Sequence, residues 1–228
     1  ELELFSLPFL FRNYEHWEAV LDGEIGQDFS NLILEKTGSV KIMAYWGGST
    51  RNVLAVKAPV LSIDDLQGFK LRLAASELKF SVWEAVGCLP VTIAFGETYS
   101  ALASGLCDGM ENEFPSILSA KFYEPAPYIT LTEHEITVRP LFMNADVFNS
   151  MDEELQAALL KAIDEATVLA RQYEKEQGEV ARDQMVNEYG ASLYEIDKQP
   201  IIDATAEVFS SFGKANGLTE MIERIQAL

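Results

Sequence analysis

Between Gly68 and Asn112 the chain reads GFKLRLAASELKFSVWEAVGCLPVTIAFGETYSALASGLCDGMEN, and this stretch constrains the fold more than any other. Phe69, Leu71 and Leu73 alternate with Lys70 and Arg72, a period of two that predicts a strand. Phe80, Trp83 and Val86 then recur at helical spacing, with Leu78 on the same side. Leu89, Val91 and Ile93 alternate again and lead to Phe95. A short helix from Glu97 to Ala103 stops at Gly105, and Asp108-Gly109 opens a further strand. Strands separated by helices of this length predict parallel pairing through right-handed crossovers, and so an α/β fold. Ligands of such sheets bind in the crevice beyond the carboxyl ends of the strands. Arg72, Phe95 and Asn112 all fall at those ends, which brings one cation, one aromatic face and one amide towards a common point.

The flanking segments extend the pattern. Tyr14 to Leu34 reads as helical with a break at Gly23, and KIMAYW (41–46) as a buried strand. Gly47-Gly48-Ser49-Thr50 is expected to turn the chain into Arg51; a plain loop is the favoured reading over a backbone anion nest. Ser62 to Gly68 is a capped helical turn, Ser62 capping, Asp65 three residues on and Gly68 closing it. A helix is expected from Phe114 to Tyr123, an extended run over 128–137, and a separate strand at Leu141 to Met143. Ser150 and Glu153 make a capping-box pair ahead of the ladder Leu155, Leu159, Ile163, Ala166, Ala170 and Tyr173. Continued to about Glu188, that helix is ~38 residues or ~57 Å long, enough to span more than one lobe, with Gly178 as its expected weak point. A short strand (192–195) and two modest helices finish the chain.

With 228 residues and 48% apolar content the chain can bury a substantial core. Its net charge of −19 argues against nucleic acid and against docking on an anionic membrane face. An anionic ligand would need local cations, which screening over about 8–10 Å makes feasible. No apolar run approaches the ~18 residues of a membrane span, and no export signal is present in this sequence. Cys88 and Cys107 each precede a predicted strand; two buried thiols are favoured over a disulfide.

No hydrolase elbow, P-loop or dinucleotide fingerprint occurs, so neither a cofactor nor a metal is predicted. His134 lies between Glu133 and Glu135, but neighbouring strand residues point to opposite faces, which favours a structural histidine over a ligand or base. Taken singly, Arg72 reads as a surface arginine, Phe95 as core and Asn112 as a turn residue. Their shared position favours a site in which Arg72 clamps a carboxylate. Glu111 either accepts hydrogen bonds from ligand hydroxyls or caps the helix after it.

LPFLFRNYEHWEAVLDGEIG, DDLQGFKLRL, and FGETYSALASGLCDGMENE with SAKFYE behind it resemble the DctP-type solute-binding proteins of tripartite ATP-independent periplasmic (TRAP) transporters. The resemblance implies two α/β lobes joined by crossing strands and one long helix. It divides the chain into residues 1–48 and 138–176 in lobe I and residues 49–137 and 177–228 in lobe II, with a helix over about 151–189 in both. It also implies a member lacking the family's N-terminal part. It matches the carboxylate-binding arginine to Arg72, a second basic contact to Arg51, the aromatic contact to Phe95 and the amide to Asn112, with Glu111 and Trp46 counted beside them. Met110 and Glu113 depart from the commoner residues around that amide. The function implied is periplasmic capture of a small organic acid, a sugar acid or a hydroxy or keto carboxylate, for delivery to membrane permease subunits. A ligand sensor of the same fold is the alternative, and an enzyme built on His134 with Glu111 or Glu133 stands behind both.

Overall fold

A computed structural model describes all 228 residues. After a 3-10 turn (Leu2–Ser6) come α1 (Tyr14–Asp22) and α2 (Glu24–Thr37), which present His16, Trp17, Val20, Ile25 and Phe29 to the interior. Asn13 caps α1 by accepting from the His16 amide, and Gly38, in a left-handed conformation, ends α2. The chain then enters β1 (Val40–Ala55). The expected strand–helix alternation follows: β2 (Lys70–Leu73), α3 (Glu77–Ala85), β3 (Leu89–Thr92), α4 (Thr98–Ser104), β4 (Gly109–Glu113) and α5 (Phe114–Ser119). The strand β5 (Tyr128–Asn144) leads through α6 (Ala145–Asn149) into α7 (Glu153–Asn187). The chain closes with β6 (Ser192–Tyr194), α8 (Gln199–Asn216) and α9 (Thr219–Ala227).

All six strands form one sheet in the order β3-β2-β4-β1-β5-β6. As the crossover argument predicts, β2 lies parallel to both β3 and β4. β1 runs antiparallel to β4 and β5, and β6 lies parallel to β5. β1 and β5 pair from Val40↔Asn144 to Ala55↔Tyr128, so these two strands cross the whole molecule.

Five local expectations are corrected. The glycine pair is not a turn: β1 runs straight through it, with a register shift between Gly47 and Thr50. Gly47 and Gly48 both take φ near +116°, and a Cβ on Gly47 would lie 2.2 Å from the Thr137 carbonyl oxygen. Glycine here buys a bulged crossing of two backbones rather than a reversal. The two runs either side of Val138 are likewise one strand, because Pro140 faces Tyr45 within the continuous ladder. Asp152, not Ser150, caps α7 by accepting from the Leu155 amide, while the Ser150 hydroxyl turns back to the Val147 carbonyl. α7 itself is 35 residues long and unbroken at Gly178, which sits against Ser49 of β1. The helix after β4 is also shorter than expected, ending at Ser119.

The alternating faces of the strands feed two cores. The larger holds Leu71 and Leu73 with Val53, against α1, α2, α3, α8 and α9. The smaller lies on the opposite face, where Leu54, Met110 and Ile129 meet α4, α5 and the Ala181–Met185 end of α7. Segments 1–48 and 177–228, assigned to different lobes from the sequence, both contribute to the larger core. His16 Nε2 lies 2.8 Å from the Ile225 carbonyl oxygen across that boundary. Cys88 and Cys107 are buried free thiols; burial pushes Cys88 up to about 12. No helix is long and apolar enough to cross a membrane.

Candidate functional site

Strand parity decides which side chains can meet. Arg72 is opposite Met110 in the β2–β4 ladder, so Arg72 and Asn112 share the face of the smaller core. Arg51 is opposite Glu113 and Val53 opposite Glu111, so Arg51 and both glutamates share the other face. The residues singled out from the sequence thus gather at the same end of three adjacent strands, on both sides of β4.

On the Arg51 side every charge has a partner. Arg51 Nε and Nη2 lie 2.5 and 2.9 Å from the two carboxylate oxygens of Glu111, a bidentate fork. Glu111 is fully buried, which opposes its ionisation, yet Arg51, then Lys79 and the His134 contact, hold its carboxyl well below the usual range. Burial likewise opposes the charge on Arg51, and the Glu111 carboxylate outweighs it and raises the guanidinium above its ordinary value. His134 Nε2 lies 3.3 Å from Glu111 Oε2 and Nδ1 2.9 Å from Thr132 Oγ1, and Trp83 packs edge-on against the ring at 5.0 Å. Both nitrogens of His134 are occupied and the ring is buried. The contact of His134 with Glu111, reached across the intervening β1, depends on register and was not predicted from the sequence, where the two were set together only in the enzyme alternative.

Arg72 differs. It is 3% exposed and forms no ion pair; Nε and Nη2 donate to a single neutral acceptor, the Ile93 carbonyl oxygen, at 2.9 and 2.7 Å. Burial lowers its pKa; Glu111 works against that effect, and the Arg51 charge adds to it. Nη1 makes no hydrogen bond within the protein, and neither does Nδ2 of Asn112, whose Oδ1 accepts from the Glu113 amide at 3.0 Å. Neither atom is sealed from solvent, since the only fully buried side-chain polar atoms without partners are Trp17 Nε1 and Glu113 Oε2. A buried cation with a neutral partner and an unused donor can accept an anionic oxygen.

Phe95 follows Ile93 by two residues, in a 3-10 turn, and is 51% exposed with its ring edge-on to Phe122 at 5.3 Å. An exposed aromatic face next to the Arg72 anchor can cover a carbon skeleton. Trp46 stands five residues before Arg51 on β1; its indole N–H is taken by Thr167 of α7 at 2.9 Å, and only its ring is available for contact. The roomiest groove, of about 670 Å³, lies between α3 and α8, away from Arg72, and the next, of about 460 Å³, is lined by Val91, Thr92 and Ile93 of the segment that holds Arg72.

Comparison with known proteins gives the family. The family model described as bacterial extracellular solute-binding protein, family 7 (DctP), matches residues 1–215. The chain belongs to that family. A solute-binding protein of Sulfitobacter sp. strain NAS-14.1 is 36% identical over 227 residues, covering 99% of this chain and 68% of its own length. The 2,3-diketo-L-gulonate-binding periplasmic protein of Escherichia coli strain K12 is 30% identical over 203 residues, covering 89% of this chain and 61% of its own. The chain therefore spans about two thirds or less of these curated relatives. Among solved structures, a TRAP periplasmic solute-binding protein from Roseobacter denitrificans with bound β-D-glucuronate superposes with a TM-score of 0.90 at 32% identity. That match covers 98% of this chain and 74% of the other. One from Sulfitobacter sp. NAS-14.1 with bound α-D-taluronate gives 0.86 at 36% identity, covering 96% and 71%. This DctP-family chain has the α/β fold of the TRAP solute-binding proteins, with the crossing strands and long helix expected of it. Its relatives are binding proteins.

Proposed function

We propose that this chain is a periplasmic receptor that captures a small organic acid and passes it to the membrane permease subunits of a TRAP transporter. The observation that carries the reading is Arg72, a buried guanidinium whose charge no carboxylate of the protein balances. A ligand carboxylate would take Nη1, with the Asn112 amide donating to an adjacent oxygen and Phe95 covering the carbon skeleton. Arg51, held by Glu111, would add positive potential without leaving its partner, and the ring of Trp46 would bound the site further along β1. The sugar acids bound in the related structures support a hydroxylated ligand. Two lobes closing about the crossing strands and α7 would trap it, because only the closed form makes both sets of contacts.

Mass spectrometry of the small molecule that co-purifies with the protein tests the class of ligand. The expected finding is a hydroxylated carboxylic acid released on denaturation; a neutral sugar or an amine in its place would contradict the reading.

A further inference from the structure

Glu113 is the one buried carboxylate at this end of the sheet whose oxygens are not both used. It is 7% exposed, and its Oε1 accepts from Ser116 Oγ at 2.9 Å and from Arg139 Nη2 at 2.6 Å. Its Oε2 is buried and has no partner. Leaving a buried acceptor oxygen unpaired is costly, so such an atom in a folded protein calls for an explanation. The position supplies one. Glu113 follows Asn112 directly and is the cross-strand partner of Arg51. Arg139, its ion-pair partner, is the cross-strand partner of Trp46 and leaves 46% of its side chain exposed between Glu113 and Glu174. A long, half-exposed arginine is the part of this cluster that can swing aside at the least cost.

We propose that Glu113 is a specificity-determining residue, whose free carboxylate oxygen accepts a hydrogen bond from a ligand hydroxyl and selects polyhydroxy monocarboxylates over dicarboxylates. The inference rests on the carboxylate-receptor reading above and deepens it. Charge balance points the same way. Three guanidinium groups (Arg51, Arg72, Arg139) face three carboxylates (Glu111, Glu113, Glu174), and only Arg72 lacks an anionic partner. One ligand carboxylate has a place there, whereas a second would meet the Glu113 carboxylate, whose one cation, Arg139, is already shared with Glu174. A hydroxyl has the opposite preference: it can donate where a carboxylate can only accept. A site built to bond a hydroxyl discriminates strongly against ligands without one, since its own buried group is then left unpaired.

The test is calorimetric titration of the wild type, Glu113→Gln and Arg72→Ala with D-glucuronate and with succinate. The wild type is expected to bind D-glucuronate at least about tenfold more tightly than succinate, and Glu113→Gln to reduce that ratio by about tenfold or more. The ratio is the readout because partial unfolding lowers both affinities by the same factor. An unchanged ratio in Glu113→Gln, with D-glucuronate binding lost in Arg72→Ala, overturns the role of Glu113 and leaves the receptor reading standing. A folded wild type that binds neither acid overturns both.

Discussion

Arg51 and Arg72 flank β4 and carry the same charge, but their surroundings give them different work. Arg51 is matched by Glu111, so removing either partner strands the other in the interior, at a cost of about 3–5 kcal/mol. Arg72 has no anionic partner to strand. Arg51→Met is therefore expected to lower Tm by roughly 10 °C, given about 2–4 °C per kcal/mol for a protein of this size, while Arg72→Met leaves it unchanged or higher. Thermal melts of the two ligand-free variants check this, and equal losses would contradict the division of roles. Glu111 also gives a pH dependence of definite sign. Its folded pKa is depressed, so its contribution to stability is present above the ordinary carboxylate range of about 4.3 and lost as pH falls from there towards the folded value. Stability should fall between about pH 5 and pH 3 in the wild type, and less steeply in Glu111→Gln over the same acid melts.

At the scale of elements, β2, α3, β3, α4 and β4 were legible because each shows its own period over enough residues to be read alone. β1 and β5 were not, and the reason is physical. A glycine pair in sequence signals a reversal, yet here positive φ lets β1 pass within contact of Thr137 without leaving the ladder. Gly47→Ala should therefore cost more than Gly48→Ala. Both would strain the backbone by about 1–3 kcal/mol, but only at Gly47 does a Cβ meet a main-chain oxygen, whereas at Gly48 the nearest atom is Tyr14 Cε1 at 3.6 Å. Chemical denaturation of the two variants measures the difference, and a smaller loss for Gly47→Ala would contradict the crossing geometry. The start of α7 was misplaced by two residues because Ser150 and Asp152 are both good caps, and only the turn through α6 decides between them. Of the candidate site, Arg72, Phe95 and Asn112 could be found from strand ends and from resemblance. The fork of Arg51 on Glu111, the burial of His134 and the Glu113–Arg139 pair could not, since each depends on register between strands far apart in the chain.

On the scale of the whole molecule, a net charge of −19 would work against capture of the proposed acid, so its binding must come from local groups. The two cores on opposite faces of one sheet make that possible. They bury the strands carrying Arg51, Arg72 and Glu111 while leaving the strand ends at the surface, so the guanidinium of Arg72 is held in low dielectric with its last donors free. The crossing of β1 and β5 under α7 ties this end of the sheet to the longest helix through Arg139 and Glu174, and through Arg171, which bonds Asp22 and the Tyr45 carbonyl. Calorimetric titration of Arg72→Ala with the acid that co-purifies with the wild type tests the central claim most directly. Loss of a buried charge pair worth about 3–5 kcal/mol predicts a Kd raised at least about a hundredfold. A Kd within about threefold of the wild type, below ~1 kcal/mol, would contradict it.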